Sequence, residues 1–592
     1  MSRLDPFTVE LMSHRLSAIT DEMSLRVVRT AMSVGIKSLM DFSTAICNRS
    51  GQVIVQGLNL PLHLGAVPDA METFLREFGD SIQPDDVYLL NDPYSGGMHL
   101  PDIFVARPLF YRNAHAGFAV VVAHHTDVGG RVPGSSAADS SEIYAEGLRL
   151  PPLRLDNGGV RNDTLEKIIR ANVRLPRILF ADLQAQVTAC RIAEERYRDF
   201  CAEFGAKGVE RATAEIIDNA ETRTRAAIAA LPDGVYTAED FVDDAGIGRN
   251  PVRLRVSITI DGDKILASFD GTDRQVDGAI NATLSFTKSA TYLAIKSITP
   301  PDIPCNQGFM DAISVTAPPG TVVNLVPPAA CAARGVTGYR TADVVFRALA
   351  KVVPERVPAA GEGGNSGIRL AGYTSKGDPF FLMDAVVGSW GGRPGKDGVE
   401  GIAPLAINIA NTPVEVLEAE HPMRVEAYGF VPDSGGAGEY RGGLALKRDI
   451  KLLEESATLS IRSDRRRFRP YGLSGGQEGS PSWNILNPTA DGGEIIPTKY
   501  TGNMKKGDVI RHITAGGGGW GDPLRRDLDR VLENVLDEKL TATYVRKEYG
   551  VIIDSAKRTV DVEATKTLRE TLNYERSAAS TDRGEDHGSW EE

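Results

Sequence analysis

Two short segments concentrate the residue types that bind metal ions: Asn91-Asp92-Pro93-Tyr94-Ser95-Gly96-Gly97-Met98-His99-Leu100-Pro101-Asp102 and Ala123-His124-His125-Thr126-Asp127. A chain with nine histidines in 592 residues has few to gather in this way. His99 and Asp102 stand three apart in a Pro- and Gly-containing loop, and His124 arrives from a separate segment. Together they form a His/His/carboxylate set that leaves coordination positions open for water or substrate, as a catalytic rather than a structural site requires. Asp41, at a helix-to-strand junction, is the best fourth ligand and a candidate catalytic carboxylate. The competing reading makes His99 and His124 hydrogen-bonded core histidines and makes Asp41 and Asp102 backbone caps. Nitrogen and oxygen donors in this mixture suit Zn, Mn or Fe alike. His125 and Asp127 are candidates for orienting a ligand or relaying protons, with a structural role equally open.

Other candidates carry less. His63, among apolar neighbours, reads as a satisfied core histidine. Ser135 and Ser136 have no G-x-S-x-G elbow around them, and the match at Gly472-Leu473-Ser474-Gly475-Gly476 lacks the strand-to-helix setting an elbow needs. The run Gly516-Gly517-Gly518-Gly519 has no Lys or Arg within it and reads as structural rather than as an anion nest. There is no G-x-x-x-x-G-K-[ST] phosphate loop. Cys47, Cys190, Cys201, Cys305 and Cys331 are isolated, with no C-x-x-C pair, and read as reduced, buried thiols, Cys331 being a possible pocket residue.

Composition narrows the partners. A formal charge of −13 favours neither nucleic acid nor an anionic membrane. No stretch matches the roughly 18–20 apolar residues of a membrane span, and the first residues lack an apolar signal core, so a cytoplasmic location is expected. A second protein and a small molecule remain.

The elements that must position these residues read as mixed α+β in several domains, with a helix-rich N-terminal half carrying metal-bearing loops and a β-rich C-terminal domain. Apolar residues from Val9 to Ala31 recur at three- and four-residue steps and predict one long helix from Pro6 to about Met40. Residues 42–47 and 53–55 predict a hairpin. Residues 86–90 and 116–123 predict strands feeding the two histidine segments, so that rigid scaffolding aims both at one point. Helical pattern dominates 165–219, and after Leu231-Pro232-Asp233-Gly234 it changes to strand alternation, as in residues 252–260. Expected units are 1–230, with the metal site; 231–400, a central α+β region; 401–525, β-rich from Val414; 526–576, a helical extension; and 577–592, a disordered tail.

Several of these motifs resemble one family. Asp5-Pro6-Phe7-Thr8-Val9-Glu10, Asp41-Phe42-Ser43-Thr44-Ala45, Leu60-Pro61-Leu62-His63-Leu64-Gly65, residues 91–102, and His124 before Asp127-Val128-Gly129-Gly130 look like the hydantoinase B/oxoprolinase family. Residues 408–415, 433–443 and 516–523 extend the likeness to about residues 5–525. The resemblance implies a B-type subunit working with an A-type partner of actin-like, ATP-binding fold in a hetero-oligomer. In the hydrolases of this group ATP activates a hydantoin, oxoproline or lactam ring by phosphorylation and the B side completes hydrolysis; in the related ketone carboxylases bicarbonate and an enol phosphate are joined instead. It also implies His99, Asp102 and His124 as metal positions, with Asp41 beside them. A two-component hydrolase is the favoured expectation. A ketone carboxylase subunit using bicarbonate, a non-catalytic scaffold for the ATPase, and a stand-alone metallohydrolase are the alternatives.

Overall fold

Asp5 opens the first helix, α1 (Pro6–Thr30), its carboxylate accepting from Thr8 N while Pro6 fills the first turn. The helix stops ten residues short of Met40. Asp182 Oδ1 accepts from Met32 N and Ser33 N at 2.6 and 3.1 Å, and the Ser33 hydroxyl starts a separate turn, α2 (Val34–Lys37). That corner delivers Asp41 to the edge of the first strand. The structure is a computed structural model describing residues 4–582 apart from 58, 59, 64, 136, 138, 247, 249, 365 and 491, with side chains described through 576.

Seven strands form the N-terminal sheet: β1 (Phe42–Asn48), β2 (Val53–Gln56), β3 (Val87–Leu90), β4 (Asp102–Tyr111), β5 (Ala114–His124), β6 (Leu153–Asn157) and β7 (Val160–Arg161), ordered β2-β1-β5-β4-β3-β6-β7. The helices that accompany it are α3 (Ala66–Phe78), α4 (Asp163–Asn172), α5 (Pro176–Phe204) and α6 (Ala206–Ala229). Side chains alternate across the sheet. Ile103, Val105, Val121 and Ala123 pack with Leu16, Met23 and Leu183 of α1 and α5. Phe104, Ala106, Val120 and Val122 pack with Phe74 of α3 and with Phe286 and Leu293 further along the chain. Both faces are therefore covered, which explains the unbroken apolar run of β5.

The central strands β8 (Gly234–Val242), β9 (Val252–Asp261), β10 (Lys264–Ser268) and β11 (Ile313–Thr316) form a second sheet beside α7 (Leu284–Ile298), α8 (Gln307–Asp311) and α9 (Arg334–Leu349). Phe286 and Leu293 of α7 and Tyr339 of α9 belong to the core of the first sheet. The expected boundary at 230 thus separates segments that share an apolar core.

Beyond it come β12 (Gly367–Tyr373), β13 (Pro379–Ala385), α10 (Val414–Glu420), β14 (Met423–Phe430), β15 (Leu446–Leu452), β16 (Ser456–Arg462), β17 (Trp483–Thr489), β18 (Gly492–Ile495), β19 (Lys499–Lys505) and β20 (Val509–Ile513). They build sheets ordered β13-β12-β16-β19 and β14-β15-β20-β17-β18 around one apolar core. Strands from either side of residue 400 share the first of these sheets, and a helix stands at Val414 where strands were expected to begin. Gly516–Gly519 threads between loops with its amides engaged: Gly517 N donates to Gly443 O, Gly518 N to Ala360 O and Gly519 N to Gln477 O, at 2.8–2.9 Å. A Cβ on Gly516 would lie 1.9 Å from Ser434 O, and one on Gly518 2.0 Å from Tyr471 O. The run is structural, and these three amides are taken by carbonyls, not free to cradle an anion.

The C-terminal extension holds α11 (Leu528–Leu536), α12 (Ala542–Tyr549), a small hairpin of β21 (Ile553–Asp554) and β22 (Thr559–Val560), and α13 (Val562–Asp582). Helix α13 takes up the first six residues expected in the disordered tail; 583–592 lie outside the described residues. Among the described residues no helix is long and apolar enough to cross a membrane.

Candidate metal centre

Strands β4 and β5 pair antiparallel with Asp102 opposite His124. Both therefore point to the same face, the one lined by Phe104 and Val122. The loop before β4 is shaped by its own polar residues. Asn91 donates to Leu100 O and Leu148 O and accepts from Leu150 N. Asp92 caps a tight turn by accepting from Tyr94 N, and Gly96 adopts φ 93° at its exit. A Cβ on Gly97 would sit 2.7 Å from the carbonyls of Asn91 and Asp92. The folded-back loop brings His99 beside the strand ends, with Asp102 N donating to His99 O at 3.0 Å. His124 N donates to Asp41 O, also at 3.0 Å, which ties the fourth candidate to β5. Asp102 and His124 are thus strand residues rather than loop residues, and of the three only His99 sits in a loop.

One potential ligand atom from each of His99, Asp102 and His124 lies within 4.8 Å of the others, and all three side chains are buried. His99 Nδ1 is 2.8 Å from Asp102 Oδ2 and His124 Nδ1 is 3.2 Å from Asp102 Oδ1. Asp41 Oδ2 is 4.0 Å from His124 Nδ1. His99 Nδ1 therefore faces the Asp102 carboxylate, while its Nε2 has no hydrogen-bond partner among the described residues. Burial, aided by the Arg334 guanidinium, holds the His99 imidazole well below its usual pKa, so it is neutral, as a metal ligand must be. Burial alone would raise the Asp102 carboxyl; Arg334 and the two imidazoles override it and keep the group well below the ordinary carboxylate range. A buried neutral imidazole with an unbonded Nε2, beside an ionised carboxylate and a second imidazole, fits a divalent cation.

Arg334, which donates to Asp102 Oδ2, was not found from the sequence. It lies 232 residues away and opens α9. Its position is set by Glu146, whose carboxyl accepts from Cys331 N and Ala332 N and is pushed up to about 8 by burial. Cys331 is buried in that turn, its thiol raised by burial and by Glu146.

Strand alternation sends His125 the other way. Its Nε2 pairs with Gln186 Oε1 of α5 at 2.9 Å, and the Gln186 amide donates to Ile103 O and Val121 O. Asp127 accepts from Gly129 N, Gly134 N and Arg174, knotting the loop after β5. Neither is brought into the His99–Asp102–His124 cluster; both brace the strand end that carries His124. His63 is buried with Nδ1 2.9 Å from Ser43 Oγ. Ser135 exchanges hydrogen bonds with Val128 N and Gly129 O, and Ser136 lies outside the described residues.

His124 lines two cavities. The larger, about 420 Å³, is walled by Met32, Gly35, Phe381, Met383 and His421 and gives an apolar approach. The smaller, about 60 Å³, is lined by Asp41, Tyr339, Arg369 and Arg462.

The profile of the hydantoinase B/oxoprolinase family matches residues 5–523. An uncharacterized protein of Methanocaldococcus jannaschii is 36% identical over 573 residues, 96% of this chain and 100% of that one. The B-type subunit of a putative D-/L-hydantoinase from a Pseudomonas species is 32% identical over 587 residues, covering 96% and 98%. The crystal structure of ATP-dependent caprolactamase from Pseudomonas jessenii superposes with a TM-score of 0.90 at 29% identity, over 96% of this chain and 100% of that chain.

Proposed function

The chain belongs to the hydantoinase B/oxoprolinase family, and from that premise we propose that it is the metal-binding B-type subunit of an ATP-dependent cyclic amide hydrolase. It would act on a phosphorylated intermediate made by an ATP-binding A-type partner of actin-like fold, in a hetero-oligomer. The observation that carries this reading is the buried cluster of His99, Asp102 and His124. The names of its relatives, a hydantoinase component and an ATP-dependent caprolactamase, support a cyclic amide substrate and ATP as co-reactant.

His99, Asp102 and His124 would hold a divalent ion, with Asp41 as a further ligand or as the group that takes a proton. Such an ion supplies Lewis-acid polarisation of a carbonyl and lowers the pKa of bound water to about 7. Asp41 is partly exposed where the other three are buried, which suits a carboxylate exchanging protons with attacking water. Arg334 balances the charge of Asp102. The larger cavity, walled by Met32, Phe381 and Met383 with Ser33, Thr126 and Glu420 among them, would receive the ring beside His124. His125 and Asp127 support the reaction by fixing the end of β5.

The test assembles the full chain with its A-type partner, ATP and candidate hydantoins, oxoproline or lactams, after metal analysis and reconstitution with Zn, Mn or Fe. His99→Ala and His124→Ala are expected to abolish metal binding and ring opening while the complex still assembles. Unchanged turnover in these variants would establish a scaffold. Carbon gain by a ketone in the presence of bicarbonate would establish a carboxylase.

A further inference from the structure

Arg369 of β12 and Arg462 of β16 project from the same face of their sheet into the small cavity beside His124 and Asp41. Arg369 is 3% exposed, yet its Nε and Nη1 have no hydrogen-bond partner among the described residues, and its Nη2 meets only the Met383 sulfur, at 4.0 Å. Arg462 Nη1 donates to Ala332 O at 3.1 Å. The two guanidiniums converge over Gly367: a Cβ there would lie 3.5 Å from Arg369 Nη1 and 3.9 Å from Arg462 Nη2. The glycine keeps that space open. Two carboxylates line the cavity: Asp384 is engaged at both oxygens by Arg448, and Asp41, 4.0 Å from His124 Nδ1, is the one whose charge reaches both guanidiniums without hydrogen-bonding to Arg369. Burial and mutual repulsion depress the Arg369 pKa, and burial brings that of Arg462 down to about 10. Burying the Arg369 guanidinium without a hydrogen-bonded anion is strongly unfavourable, so the space beside it suits an anion, with Arg462 as a second cation. A volume of about 60 Å³ is several times the roughly 10–15 Å³ one water needs, and suits a group of about five heavy atoms rather than a substituted lactam ring.

We infer that Arg369 and Arg462, over the floor left by Gly367, form an oxyanion subsite that holds the phosphoryl group of the activated substrate beside the metal cluster. The inference rests on the reading above that a phosphorylated intermediate reaches this chain. Planar, multidentate donors match phosphate oxygens, and holding the phosphoryl group here leaves the ring carbon that bears it facing His124. Bicarbonate shares the chemistry of a small oxyanion and is the competing occupant.

The experiment measures binding of inorganic phosphate and, separately, of bicarbonate to the metal-loaded full chain by calorimetry. Wild type is expected to bind phosphate more tightly than bicarbonate. Arg369→Met and, independently, Gly367→Val, which fills the space and keeps both charges, should each weaken phosphate by about tenfold or more, as loss of a charged hydrogen bond does. Gly367→Ala serves if Gly367→Val fails to fold. Equal phosphate affinity in wild type and Arg369→Met overturns the subsite, and tighter binding of bicarbonate with the same Arg369 dependence overturns the phosphoryl assignment. Ring opening that survives His99→Ala would defeat the reading of this chain as the metal-bearing catalytic subunit but leave the phosphate result standing, so the two failures are distinguishable.

Discussion

Two clusters of buried charge differ in one respect. Between the central and C-terminal sheets, Arg340, Arg465 and Lys499 meet Asp240, Asp343 and Asp464: Arg465 Nη1 to Asp240 at 3.2 Å, Lys499 Nζ to Asp464 at 2.8 Å, Arg340 to Asp464 and Arg465 to Asp343. Each cation there has a carboxylate. Around His124, by contrast, Arg369 has no carboxylate bonded to it: its Nε and Nη1 are without hydrogen bonds among the described residues and its Nη2 meets only the Met383 sulfur. The Nε atoms of Arg340 and Arg465 are unbonded too, so the two regions are separated by whether a buried cation has a carboxylate, and removing the cation should cost stability only where it does.

That contrast can be broken by substitution. The largest effect is expected from Asp102→Asn, which removes the carboxylate charge and should lower turnover by about a thousandfold or more with loss of bound metal; retained metal and turnover would erase the distinction. Next, Arg340→Met leaves Asp464 and Asp240 short of a partner and should cost about 3–5 kcal/mol in denaturant unfolding, with metal content unchanged. Arg369→Met should move stability the opposite way, by about 1 kcal/mol, because it removes a buried charge that lacks a partner. A loss as large as that of Arg340→Met would show Arg369 to be part of a satisfied network.

A further effect, seen only where pH changes, comes from a buried carboxyl. Burial, with Asp464 nearby, pushes the Glu362 carboxyl up to about 7 from an ordinary value of 4.5. The folded state therefore binds this proton more tightly than the unfolded state. Its contribution is full below pH 4.5 and is lost as pH rises through 7, amounting to about 3 kcal/mol across that window. Glu362→Gln should keep stability level where wild type declines, so the gap between their denaturation midpoints widens from about pH 5 to about pH 8.

The clustering of His99, Asp102 and His124 was readable in the sequence because the three lie within 26 residues and each adjoins a strand pattern. The alternation of β5 even explains the fates of His124 and His125, yet which neighbour faced the cluster depended on which helices covered which face. Arg334, Arg369 and Arg462 were not readable, since tertiary packing alone brings α9, β12 and β16 to β5. The end of α1 was missed because Asp182, far along the chain, supplies the bonds that turn residues 32 and 33. The boundary at 400 followed a composition change, whereas β12 and β16 pair across it through backbone hydrogen bonds that composition does not reveal.

The threaded run at Gly516–Gly519 also bears on how such a protein could be adapted. Carbonyl oxygens occupy the places where side chains would begin, at 1.9–2.2 Å from each missing Cβ, so this interior has no vocabulary of alternative residues to draw on. Under the proposed function, a change of substrate range would be sought instead in the cavity walls at Phe381, Met383 and His421, which are side chains rather than main chain.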